Sequence, residues 1–130
     1  LTMYHVYMNI IVILVVFYTT QLLNVNIWTS IHFIILWFLV EDVAWFILNP
    51  YYTLKKYTKE DIWWHGKQKW IYGIPMHNIV GIALLVLTSV LSKNKNIIYS
   101  YVITLAIGVF IIYIAPYYHE IYKKLRNKNE

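Results

Sequence analysis

Four long apolar runs divide the chain, and short polar or longer charged segments separate them. The runs are residues 6–23, centred on 10–17, then 27–48, 74–91 and 97–117. Each approaches the ~20 mostly apolar residues that a helix needs to cross a hydrocarbon core. All four are rich in Ile, Val and Leu, residues that also favour strands. Membrane-barrel strands, however, alternate apolar and polar positions over about ten residues, and these runs are continuously apolar and longer. The pattern therefore predicts helices.

The connections at 21–26 and 92–96 are short and polar, which pairs the first helix with the second and the third with the fourth. The connection at 49–73 is long and carries the internal charge cluster. The expectation is an all-α protein. It is an integral membrane four-helix bundle of two antiparallel helical hairpins, forming one transmembrane domain over 1–130. An interfacial aromatic and basic loop joins helices 2 and 3, and a basic tail occupies 118–130. Within the loop, Trp63, Trp70 and Ile74 fall on one helical face, which predicts a segment lying flat on the membrane surface. Pro75 suits a first helical turn, and Pro116 is expected to end or kink the fourth helix. No Gly-x-x-x-Gly pair is present, so Gly81, Ala83, Ala106 and Gly108 are the small residues available for close helix approach.

Composition strengthens the membrane reading. The chain is 60% hydrophobic and 13% charged, against about 45–50% and about 25% in soluble domains. Disordered chains have the opposite bias. The absence of cysteine excludes a disulfide framework, thiolate metal sites and cysteine nucleophiles. Phosphate-binding and dinucleotide motifs are missing, as are the common hydrolase motifs, so no nucleotide cofactor is implied. The net charge of +5 has no basic soluble domain to carry it, which excludes a nucleic-acid partner.

Charge placement orients the chain. Nine of the eleven basic residues fall in the central loop (Lys55, Lys56, Lys59, Lys67, Lys69) and tail (Lys123, Lys124, Arg126, Lys128). Lys93 and Lys95 lie on the other face. The positive-inside rule then puts loop, tail and both termini in the cytoplasm. The first run lacks a basic n-region and a small-residue cleavage site, so it reads as a span. Tyrosines and tryptophans gather at both boundaries as an aromatic belt. The lysines of the central loop make anionic lipid a partner there.

Candidate chemistry lies in the polar residues inside the spans. A charge at mid-membrane costs about 2.5–3.5 kcal/mol, and Glu41 and Asp42 are adjacent within the second run. Trp37, Glu41, Trp45 and Asn49 form an i, i+4 stripe. That stripe places a carboxylate between two indole donors; Trp37, Trp45 and Asn49 from it, with Asn78 from the third helix, are candidate ligand-binding residues. His77 and Asn78 open the third helix at the same boundary, and His65 lies in the loop beside it. The outer half is almost purely apolar, with His32 and Gln21 as the main exceptions. A cytoplasm-facing polar pocket follows, with Glu41, Asp42, His65 and His77 as candidate catalytic residues. A carboxylate with its pKa raised by desolvation can serve as a proton donor. Carboxylate and imidazole donors suit a non-haem iron, zinc or manganese ion, and the candidate ligands are Glu41, Asp42, His77 and His119.

Three functions remain open. The first is an accessory or structural component of a membrane assembly, with a protein subunit or a second copy as partner. The second is a membrane enzyme or a ligand- or metal-binding protein using the pocket around Glu41, Asp42 and His77. The third is an oligomeric transporter with Glu41 as coupling acid. In length and number of spans the chain resembles the small multidrug-resistance transporters. The resemblance is architectural: their key glutamate lies in the first span, and the first span here holds no acid.

Overall fold

Uninterrupted apolar runs fold as helices here because a helix satisfies every backbone donor and acceptor within its own segment. The computed structural model describes residues 3–62 and 67–127. Its helices are α1 (Met3–Leu22), α2 (Ile27–Leu48), α3 (Met76–Ser92) and α4 (Ile97–Asn127). A single 3-10 turn covers Leu54–Lys56, and two short strands follow, β1 (Trp70–Ile71) and β2 (Ile74–Pro75). Three helices, α1, α2 and α4, are long and apolar enough to cross a membrane. The fourth, α3, has 17 residues and a length of ~25 Å.

Local chemistry sets the helix ends. Asn24 adopts a left-handed φ of 53° just beyond α1, a conformation asparagine tolerates at a helix C-terminus. Asn26 then caps α2, its Oδ1 accepting from the Thr29 amide at 3.0 Å and the Thr29 hydroxyl at 3.2 Å. At the far end of α2, Asn49 precedes Pro50, which disfavours helical backbone at Asn49. Its Oδ1 accepts from the Tyr51 amide at 3.0 Å, forming an Asx turn.

The chain divides into two compact units, 1–39 with 79–95 and 40–78 with 96–130. In the first unit, α1 and α2 run antiparallel: Thr20 bonds Ser30 and Trp37 bonds Asn9. Helix α3 also runs antiparallel to α2. Asn26 Nδ2 donates to the Ser92 carbonyl at 2.6 Å, His32 bonds Thr88 at 3.1 Å, and Gly81 lies against Leu39. A Cβ on Gly81 would stand 2.7 Å from Leu39 Cδ2, so glycine permits this close approach. The pairing of α2 with α3, across the longest connection, adds to the hairpin expected between α1 and α2.

The interior of this unit departs from expectation. Its buried side chains are mainly polar, namely Thr20, Thr29, Ser30, His32, Thr88 and Ser92, with Leu85 among them. Reading this half as almost purely apolar missed them because short hydroxyl side chains bond back to their own helix. Thr20 donates to the Val16 carbonyl at 2.8 Å, Thr88 to Leu84 at 2.8 Å and Ser92 to Ser89 at 2.8 Å. Leucine, isoleucine and valine meanwhile dominate the exterior, with Leu14, Val15, Val86 and Val90 all exposed.

The second unit buries Phe46, Ile47, Ile62, Ile97 and Ala115. Here β1 pairs antiparallel with β2, Trp70 opposite Pro75 and Ile71 opposite Ile74. The two intervening residues, Tyr72 (φ 50°) and Gly73 (φ 78°), are both left-handed, as a type I′ hairpin turn requires. Trp70 and Ile74 therefore lie on strands and do not share the helical face expected for them, while Trp63 lies outside the described residues. The hairpin also moves the start of the third helix from 74 to Met76, and places Pro75 in β2 instead of the first helical turn.

Helix α4 runs through Pro116 to Asn127 and does not end at the proline. The residues beyond it are helix-compatible, and Glu120 pairs with Lys124 one turn on at 2.6 Å. The segment expected as a tail is therefore helical to 127. At 31 residues, α4 is ~46 Å long, longer than a hydrocarbon core of ~30 Å.

Candidate functional site

A polar cluster forms in the second unit where the C-terminal half of α2, the 49–75 connection and the start of α3 contribute side chains. Asp42 comes from α2, and His77 and Asn78 come from the first turn of α3. Asp42 Oδ2 lies 2.8 Å from His77 Nε2. On the other side of the ring, His77 Nδ1 lies 2.7 Å from Gln68 Oε1. Each ring nitrogen of His77 thus faces a side-chain oxygen. The side chains of His77 and Asp42 are 35% and 30% exposed, so the pair is open on one side.

Next to it, Asn78 Nδ2 donates to the Tyr57 hydroxyl at 2.6 Å. Asn78 is buried and its Oδ1 has no hydrogen-bond partner. The Tyr57 ring meets Phe46 edge-on at 4.9 Å and tilts against Trp70 at 5.9 Å. Burial pushes the Tyr57 phenol above its ordinary value, the negative charge of Asp42 adds to this, and the bond from Asn78 opposes it. Tyr57 is thus held as a neutral phenol near an acid–imidazole pair.

The candidate residues are distributed as follows. Asp42, His77 and Asn78 are brought together with Tyr57 and Gln68. Glu41 is half-buried beside Asp42. The Trp37 indole donates to Asn9 Oδ1 at 3.4 Å, which takes it to α1 and not to Glu41. Trp45 packs against Phe46 and Tyr52, at 4.9 and 5.2 Å. Asn49 spends its Oδ1 on the Asx turn. His119 is half-buried on α4 against Tyr118, and its buried Nε2 has no hydrogen-bond partner. His65 lies outside the described residues.

Among the described residues, no group of three or more His, Asp or Glu is placed to hold a metal ion. The Asp42–His77 pair supplies two donors of the four or more that zinc or iron sites use.

Sequence reasoning passed over Tyr57 and Gln68, which come from irregular backbone. It also passed over the hydroxyl cluster of the first unit, for which a signal existed: Thr88 and Ser92 lie four residues apart, and Asn26, Thr29 and Ser30 share one turn.

No match emerged from comparison with protein-family models, curated proteins or solved structures.

Proposed function

We propose that the chain is an integral membrane protein that serves as an accessory or structural component of a membrane assembly. The observation that carries this reading is the inverted polarity of the first unit. Hydroxyl, amide and imidazole groups are buried between helices while branched aliphatic side chains cover the outside. Soluble proteins bury their aliphatic residues. Membrane helices associate through small and hydroxyl-bearing residues, because lipid already solvates the apolar ones. In this reading all four helices insert as a bundle, the central loop and both termini face the cytoplasm, and the basic loop meets anionic lipid.

An accessory role fits the way polar groups are used. His32, Asn26, Thr20, Asn78 and Trp37 fasten one element of the chain to another. Helix α4 keeps large apolar side chains exposed along its length, from Ile98 through Leu105 and Val109 to Tyr117, a surface for lipid or a partner subunit. The test is native mass spectrometry after solubilisation of the native membrane in a mild detergent. The expected result is a stoichiometric partner chain bound to this protein. A folded protein running alone would contradict the accessory role.

One observation favours a second reading, an enzyme or ligand-binding protein. The half-exposed Asp42–His77 pair is an acid–imidazole couple beside a neutral phenol, a combination able to bind a polar group or move a proton. Retention of a small polar ligand by the wild-type protein, and its loss in Asp42→Asn, would favour this reading over the first.

A further inference from the structure

Tyr51 is the meeting point of two basic segments. Its backbone carbonyl accepts from Lys56 Nζ at 3.1 Å, and its hydroxyl accepts from Arg126 Nη1 at 3.0 Å. The Arg126 guanidinium also lies 5.6 Å from the Tyr51 ring centroid, and Lys56 Nζ lies 5.3 Å from the Tyr52 ring. Tyr122, one turn before Arg126, meets Tyr51 edge-on at 6.3 Å. One tyrosine therefore binds a cation at each end and ties the 3-10 turn at Leu54–Lys56 to the last turn of α4.

Further positive charge adjoins this junction in the sequence. Lys55 is exposed next to Lys56, and Lys123 is exposed three residues before Arg126. Lys124 is paired with Glu120 and holds that carboxyl below its ordinary value through its hydrogen bond and charge. No acidic residue occurs between Asp42 and Glu60. Lys56 and Arg126 bond to the two ends of one tyrosine, so an anion lying along that residue is attracted by both charges. The tyrosine rings flanking them are amphipathic groups suited to headgroup depth.

We infer that Lys56 and Arg126, converging on Tyr51 with Lys55 and Lys123 adjoining them in the sequence, form a binding site for the phosphate of an anionic phospholipid headgroup. The inference rests on the membrane reading above and sharpens it from a basic loop to one defined junction. Arginine supplies paired donors for phosphate oxygens and lysine a mobile point charge. Tyr51, Tyr52 and Tyr122 supply the apolar collar around the acyl–headgroup boundary. In this arrangement lipid binding joins the central loop to the end of α4.

The test uses the full-length protein in nanodiscs containing equal amounts of phosphatidylcholine and phosphatidylglycerol. Native mass spectrometry reads the lipid that stays bound when the disc is stripped. The expected result is preferential retention of phosphatidylglycerol. Lys56→Gln and Arg126→Gln are each expected to reduce that preference by about fivefold, the effect of one basic residue at a charged membrane surface. Lys93→Gln, at the opposite end of the chain's charge distribution, leaves it unchanged. Added inorganic phosphate does not displace the lipid. Equal retention of both lipids would overturn the proposal, as would equal loss of preference in Lys93→Gln or displacement by free phosphate. Resistance of the same protein to alkaline extraction from vesicles is scored separately. Failure there overturns the membrane reading itself, whereas an inserted protein without lipid preference overturns only the headgroup site.

Discussion

Asp42 and Glu41 are adjacent acids on α2, but successive side chains on a helix diverge by ~100°, and Asp42 is the one that reaches His77. A charge-assisted hydrogen bond of this kind contributes about 1.5–3 kcal/mol, reduced here because both partners are about one-third exposed. Asp42→Asn and His77→Ala are each expected to lower stability by about 1 kcal/mol. The double variant is expected to lose less than the sum of the two. Thermal denaturation in detergent measures this, and strictly additive losses would show that the pair is not coupled. Tyr57 carries a second prediction. Its folded pKa lies above the ordinary value of 10.0, so the contribution of its neutral form is fully present below pH 10 and is lost as pH rises through the folded value. The phenolate absorbance difference between wild type and Tyr57→Phe should accordingly titrate above pH 10, and a difference titrating below it would contradict the burial argument. At this scale the sequence placed Asp42 and His77, together with Glu41 and His65, at one end of the apolar runs, without singling out which acid meets which histidine. Tyr57 and Gln68 were not legible: they sit on irregular backbone whose path depends on tertiary contacts. Of the indole–carboxylate stripe, Trp37 bonds to Asn9 on another helix, a partner that residue spacing within one helix does not reveal.

The elements divide in the same way. Helices over the apolar runs were legible because a continuous apolar segment of that length has few other folds open to it. The hairpin at 70–75 was not, because two-residue strands leave almost no alternation to read. Its turn depends on Tyr72 and Gly73 being left-handed. Tyr72→Gly is expected to raise stability by about 1 kcal/mol by removing a side chain from a left-handed position, and Gly73→Val to lower it by at least as much. Equilibrium unfolding of the two variants checks the opposite signs. Gly81 tests the α2–α3 contact. Its missing Cβ leaves room for Leu39, and a bulky β-branched residue there would overpack the site at a cost of about 1–3 kcal/mol. Gly81→Val should therefore destabilise more than Gly108→Val, whose added Cβ would meet nothing within 4 Å. Similar losses at both positions would reduce the effect to helix propensity. The continuation of α4 past Pro116 shows how far local rules reach: proline removes one hydrogen bond, and the helix-compatible residues after it restore the ladder.

For the molecule as a whole, three long apolar helices are compatible with a membrane protein, and the inverted polarity of the first unit is the structural feature that supports the proposed insertion. The orientation expected from the positions of Lys and Arg is a property of the inserted protein that the fold itself does not test. The buried hydroxyl network was only partly legible: the spacing of Thr88 with Ser92 and of Asn26 with Thr29 and Ser30 marks one face of each helix, but not whether that face meets lipid or a neighbouring helix. The third run raises the sharpest question, since α3 has 17 residues and is ~25 Å long, short of a ~30 Å core. A short span is accommodated by local thinning of the bilayer and by interfacial side chains at its ends. The claim that all four helices cross is decided by sidedness. The chain contains no cysteine, so single cysteines can be placed one at a time by Lys55→Cys, Lys93→Cys and Lys124→Cys. Each is then labelled with a membrane-impermeant maleimide in sealed, oriented vesicles. The account predicts that positions 55 and 124 are labelled from the same side and position 93 only from the opposite side. Labelling of all three from one side would contradict it.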